Sequence, residues 1–165
     1  MKQKNLWQRI SQSTYNEFII TTVRASEIFK STEKFFDDNF RGAVITDAEI
    51  VSDGYAEVSA EGIAYFFKVL LNAVFGDSVV RIKMISKNDV LDISTEWSFC
   101  REITKSDLNE LENVARLSGF TLNFSKSESI CRADISMKLK TLSYIPLYAV
   151  SDEKMLLAYI KVFFS

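Results

Sequence analysis

The chain has 165 residues, of which 47% are hydrophobic and 13% aromatic, with 20 basic and 22 acidic side chains and a formal net charge of −2. Such a composition can bury a real core and excludes intrinsic disorder, and the faintly acidic balance lacks the footprint of a nucleic-acid binder. There is no histidine, which excludes Ser-His and Cys-His nucleophile pairs, histidine metal sites and phosphorylation on histidine.

Cys100 and Cys131 lie too far apart for a C-x-x-C pair and read as small hydrophobes rather than a disulfide or zinc ligands. No stretch approaches the roughly 18 apolar residues of a membrane span. The opening MKQKNLWQRISQ lacks the apolar run of a signal peptide, so a cytoplasmic location with no membrane partner is expected.

Residues 1–41 contain no helix breaker, and Leu6, Ile10, Phe18, Ile19, Thr22, Val23, Phe29 and Phe36 recur mostly at helical spacing. This predicts a long helix or two abutting helices, closed by Gly42 as a C-terminal cap. Its apolar stripe could pack on its own domain or on a partner helix. AVITDAEIV and YAEVS flank Ser52-Asp53-Gly54 and read as a short strand pair.

Ser59 supplies an N-cap for a helix whose Ile63, Phe66, Phe67, Leu70, Leu71 and Val74 share one face, ended by Gly76. SVVRIKMIS and VLDISTEWS around Lys87-Asn88-Asp89 predict a hairpin. Thr104 with Asp107 marks the next helix, with a stripe of Leu108, Leu111, Val114, Ala115 and Leu117 and a stop at Gly119. FTLNFS and ICRADISMKLKT form another antiparallel pair. The last segment, YIPLYAVSDEKMLLAYIKVFFS, reads as a hairpin turning at Asp152-Glu153-Lys154 or as a helix capped by Ser151.

The expected fold class is α+β: a two-layer α/β sandwich with a mostly antiparallel sheet, preceded by a long N-terminal helix. With no repeats or linkers, residues 1–165 read as a single domain: 1–41 an N-terminal helical segment, 42–139 the core, and 140–165 a C-terminal extension. The carboxylates Asp89, Asp92, Glu96, Glu110 and Glu112 are scattered over predicted turns and exposed faces and read as solvated charge. Tyr65-Phe66-Phe67 and Phe35-Phe36 fall on helical stripes and read as core.

The order helix, hairpin, helix, hairpin over 59–139 resembles the ATP-binding domain of sensor histidine kinases, in the superfamily shared with gyrase, mismatch-repair and chaperone ATPases. LLNAVFG is similar to the family's first motif, which implies that Asn72 stands where an asparagine holds Mg²⁺ against the phosphates. One helical turn earlier the family places Asn or Glu, and this chain has Lys68, a cation that would compete with the metal but could touch a phosphate directly. Aligning LDISTEWS puts Thr95 at the aspartate that accepts from the adenine amino group. Trp97 then stands at the first glycine, where its indole fills the space the glycine leaves open.

Only Ser98–Ile103 stand where the family has a lid over the nucleotide. Lys105-Ser106-Asp107 replaces a phosphate-cradling Gly-x-Gly, and an aspartate at a helix N-terminus repels phosphate. The resemblance therefore implies a remnant nucleotide pocket of Asn72, Lys68 and Thr95, with no catalytic and no metal-ligating residue and no cofactor. The implied function is a non-catalytic, histidine-kinase-like regulatory or adaptor protein of bacterial two-component signalling. It would act by protein–protein binding on a response regulator or histidine kinase, with homodimerisation through the N-terminal helix as a further expectation. The alternative is a nucleotide-binding protein or kinase-like ATPase that keeps ATP and Mg²⁺ in a divergent pocket. A third reading is an α/β domain unrelated to kinases.

Overall fold

The computed structural model describes residues 18–74, 78–98 and 101–140. In chain order these form β1 (Thr21–Arg24), α1 (Ala25–Asn39), β2 (Ala43–Ile50), β3 (Tyr55–Val58) and α2 (Ala60–Leu71). They continue through β4 (Val79–Lys87), β5 (Val90–Ser98), α3 (Lys105–Ser118), β6 (Thr121–Lys126) and β7 (Ile130–Lys140). The strands make a seven-stranded sheet in the order β1-β3-β7-β5-β4-β2, with β6 also paired to β7. Every pairing is antiparallel except β2 with β4. The three helices cover one face, which is the expected two-layer α+β sandwich.

The sheet faces explain the layering. Along β4, β5 and β7 alternate side chains are buried, among them Val80, Ile82 and Met84, then Leu91, Ile93 and Trp97, then Ala133, Ile135 and Met137. The other face carries charges such as Arg81, Lys83, Asp92 and Arg132. Arg132 reaches Glu96 at 3.4 Å and Asp134 at 2.8 Å, exposed pairs of small energetic weight. Against the apolar face, α2 buries the stripe Ile63, Phe66, Phe67 and Leu70, and α3 buries Leu111, Val114 and Ala115. Edge-to-face rings knit this layer: Phe36 of α1 meets Phe67 of α2 at 5.2 Å, Phe66 meets Phe67 at 5.5 Å, and Phe120, just past α3, meets Phe66 at 5.4 Å between centroids.

Local signals in the sequence carry over into these elements. The Ser59 hydroxyl accepts from the Gly62 N–H at 3.1 Å, capping α2. Asn88 and Asp89 both take left-handed φ values, 53° and 57°, as a two-residue turn between β4 and β5 requires. Gly119 ends α3 at φ 86°, and its N–H bonds the Ala115 carbonyl.

Two expectations are corrected. Neither a long helix nor two abutting helices fill 1–41: Thr21–Arg24 is a strand paired antiparallel with Tyr55–Val58, and α1 begins only at Ala25. Ile19 to Val23 is a run of five β-branched residues, which fit a pleated surface better than a helix. Gly42 is not a left-handed cap either. α1 closes on Phe40 in an extended conformation, its N–H bonded to the Phe36 carbonyl. What Gly42 provides is closeness, since a Cβ there would stand 2.5 Å from the Ser78 carbonyl oxygen. Of the N-terminal segment, residues 1–17 lie outside the described residues, as do Gly76, the Asp152-Glu153-Lys154 turn and the alternative Ser151 cap.

The second correction concerns AVITDAEIV and YAEVS, which are not paired with each other. β2 runs parallel to β4 in the register Ala43↔Val79 to Ile50↔Ser86, while β3 lies between β1 and β7. Burial gives the reason: three of the four β3 residues are buried, which places it inside the sheet, whereas β2 is mostly exposed and takes an edge. The Ser52-Asp53-Gly54 segment is used to start α1 instead of closing a hairpin. The Asp53 carboxylate accepts from the Ser26 N–H and the Ser26 hydroxyl, both at 3.0 Å, and the Gly54 carbonyl accepts from the Ala25 N–H at 3.0 Å. Among the described residues no helix is long and apolar enough to cross a membrane.

Candidate functional site

Beside its buried stripe, α2 carries a second, more polar row. Tyr65, Lys68, Val69 and Asn72 stand at i, i+3, i+4 and i+7 and so share one face. That row borders a cleft of about 240 Å³ shared with the start of α3, whose polar lining is completed by Arg101, Asp107 and Glu110. Leu70, Ala73, Ile103 and Leu111 form its apolar floor and walls. The Tyr65 hydroxyl donates to Glu110 at 2.5 Å and ties α2 to α3 across the cleft. The Arg101 N–H donates to the Ala73 carbonyl at 2.8 Å, which fixes the entry to α3 against the end of α2.

The helix end that faces this cleft is capped by its own side chains. The Thr104 hydroxyl accepts from the Asp107 N–H at 3.2 Å, and Asp107 Oδ2 accepts from the Thr104 N–H at 2.9 Å and from its hydroxyl at 2.8 Å. This reciprocal box occupies the Thr104 and Asp107 N–H groups and puts a carboxylate at a terminus that would otherwise favour an anion. The bonds from Thr104, backbone first, hold the Asp107 carboxyl below its ordinary value. A depressed folded-state value gives stability that is fully present above the unfolded carboxylate range, near pH 4, and is lost as pH falls through the folded value. Asp107→Asn should therefore flatten the acid limb of a urea-midpoint profile below about pH 4. Thr104→Ala should cost about 1 kcal/mol at neutral pH.

Of the residues singled out from sequence, Lys68 and Asn72 come together on this cleft. Lys68 is half-buried, and desolvation lowers its ammonium from the ordinary lysine range. Asn72 is the exposed C-cap of α2, its N–H bonded to the Lys68 carbonyl at 3.2 Å. Thr95 lies elsewhere. It is buried on β5 between Ile82 of β4 and Ala133 of β7 and is not among the residues that line the cleft.

Trp97, two residues along the same strand face, is 2% exposed and packs on Phe124 with centroids 6.3 Å apart. Its indole thus belongs to the core and not to the cleft wall. Neither Thr95 Oγ1 nor Trp97 Nε1 has a hydrogen-bond partner among the described residues.

Sequence reasoning missed Tyr65, Glu110 and Arg101 as cleft residues. Tyr65 stood in an aromatic cluster that pointed to the core, although its spacing of three from Lys68 was a usable signal. Glu110 and Arg101 had none, because a charge on an amphipathic helix or a loop looks like any solvated charge. The cleft holds two cations, Lys68 and Arg101, against two carboxylates, Asp107 and Glu110. For Mg²⁺ and a triphosphate the fit is poor: a lysine stands one turn before Asn72, and a carboxylate closes the helix terminus where phosphates would be cradled.

No family model and no curated protein sequence matches this chain. Solved structures do. The nucleotide-free catalytic domain of histidine kinase ThkA matches 73% of this chain and 97% of its own length, with a TM-score of 0.55 at 11% identity. A histidine kinase from Burkholderia phymatum covers 81% of this chain and 77% of its own, at TM-score 0.52 and 9% identity. ThkA in complex with the response regulator protein TrrA matches 73% of this chain and 42% of its own, at TM-score 0.54 and 12% identity. These likenesses show the fold, which is that of histidine-kinase catalytic (ATPase) domains.

Proposed function

On the histidine-kinase ATPase fold, we propose that the chain is a non-catalytic regulatory or adaptor protein of two-component signalling that acts by binding another protein and no longer binds ATP. The observation that carries this reading is the Thr104–Asp107 capping box, which fills with the chain's own carboxylate the helix terminus that borders the cleft. With no histidine in the sequence, phosphate cannot pass through the chain on that residue, which leaves docking, sequestration or inhibition. ThkA is seen bound to a response regulator, and a response regulator or a histidine kinase is the partner class proposed here.

A second reading keeps a nucleotide in the cleft, with Lys68 and Asn72 on its phosphates and its base reaching inward to the buried Thr95 hydroxyl, which has no hydrogen-bond partner among the described residues. Titration calorimetry with ATP and ADP, each with Mg²⁺ at millimolar concentration, separates the two. No heat is expected, and micromolar binding that disappears in Asn72→Ala would overturn the non-catalytic reading. Thr95→Val gives a second readout. Replacing an orphaned buried hydroxyl by a methyl group of the same shape should raise stability by about 1 kcal/mol in urea. Under the nucleotide reading the same change would instead weaken nucleotide binding.

A further inference from the structure

We propose that the outer edge of β2 is a docking strand for an extended, basic and apolar segment of a partner protein, which would add to the sheet as its next strand. This rests on the reading of the chain as a binding protein and names the surface involved. It lies on an edge strand, away from the cleft between α2 and α3.

Among the described residues β2 has a neighbour on one side only, β4, so alternate residues over its eight positions direct N–H and C=O groups outward. Edges of this length are normally blunted by charged side chains, lysine above all, by proline, or by a bulge or a covering element. The strand AVITDAEI contains neither lysine nor proline, and its register with β4 runs unbroken from Ala43↔Val79 to Ile50↔Ser86. Seven of its eight residues are exposed.

Apolar surface is concentrated at the same edge. Of the seven exposed large hydrophobics among the described residues, four are Ile45, Ile50, Val51 and Val79. The first two are on β2, Val51 follows it directly, and Val79 is paired with Ala43. Ile45 is 52% exposed and Val51 59% exposed.

Charge selects the occupant. Asp47 and Glu49 project with Ile45 from the open face of the sheet, so an added strand would set its side chains directly opposite an apolar residue and two carboxylates. Lysine or arginine opposite the two carboxylates supplies the charge, a further lysine stem lies over Ile45, and valine or isoleucine at the alternate positions falls on the other face beside Ala48 and Ile50. A second copy of this chain fits badly. In the two registers that overlap β2 most while keeping the open faces together, Asp47 falls opposite Asp47 or opposite Ile45, and like charges directly opposite are destabilising.

The test uses the full chain and a synthetic eight-residue peptide alternating lysine and valine, with a glutamate–valine peptide and a proline-interrupted lysine–valine peptide as controls. The lysine–valine peptide should bind and slow exchange of alternate amides within residues 43–50. The double variant Asp47→Lys, Glu49→Lys should weaken it about tenfold and favour the glutamate peptide. Both positions are exposed, so the variant should fold, which its circular dichroism will show. Equal binding of the proline-interrupted peptide, which cannot pair along a strand, would overturn the proposal. So would protection outside β2, or a concentration-dependent dimer that Asp47→Lys abolishes. Nucleotide titration of the same variant keeps the two questions apart, because ATP binding would count against the non-catalytic reading and leave the docking strand standing.

Discussion

Trp97→Ala lowers the free energy of unfolding by about 3–5 kcal/mol, the usual cost of emptying an aromatic site in a close-packed core. The indole is 2% exposed, sits on β5 between Val80 and Cys131, and closes the core beneath Phe124. Domains of this size are stable by only about 5–15 kcal/mol, so the variant should fall near the edge of folding. Urea unfolding followed by circular dichroism reads the change as a shift in midpoint at unaltered slope. Trp97→Phe should lose less, since it keeps a ring and removes an indole N–H that has no partner among the described residues. A loss below about 1 kcal/mol for the alanine variant would mean the indole does not fill the core. Neither variant should gain nucleotide binding, because Trp97 is not part of the cleft wall.

Gly119→Ala is the second large effect, about 2–3 kcal/mol, and two causes act together. The residue ends α3 at φ 86°, a conformation side chains rarely adopt, and an added Cβ would stand 2.5 Å from the Glu57 carbonyl oxygen. Asparagine tolerates left-handed backbone better than alanine but brings the same Cβ. The difference in thermal midpoint between Gly119→Asn and Gly119→Ala therefore isolates the dihedral part from the contact. If alanine is neutral, the α3–β6 junction is looser than the close approach to β3 implies.

Legibility in the sequence followed the distance over which each feature is decided. Ser59, the Thr104–Asp107 box, Gly119 and the Asn88-Asp89 turn act within a few residues, and each could be read from its neighbours. The buried stripes of α2 and α3 were equally plain, because helical spacing states which side is apolar. β2 and β3 were read as partners because they are adjacent in sequence, yet their pairing is settled by residues far away in β4 and β7. Thr21–Arg24 fell within a stretch whose apolar spacing also suits a helix; its β-branched run leaned toward a strand, and pairing with the distant Tyr55–Val58 completes it.

The cleft shows the same limit. Lys68 and Asn72 lie one turn apart on α2, so their proximity was legible, and Thr95 was joined to them only by alignment to a motif. Strand alternation turns its side chain toward the core, and nothing local in LDISTEWS says how far a cleft extends behind it. Arg101 and Glu110 enter the cleft because α3 is docked on α2, a fact no spacing along either helix contains.

β7 pairs with β5 along one side and with both β3 and β6 along the other. It is also the last described element in chain order. During synthesis β3 and β5 can pair with β1 and β4, but their second edges, and β6, must wait for a common partner that emerges after all of them, with their apolar faces open meanwhile. Contacts such as Ala56↔Leu139 close long loops before they bring any return. Folding of this chain should be late and abrupt as it is made, with the half-finished sheet as the species that chaperones hold.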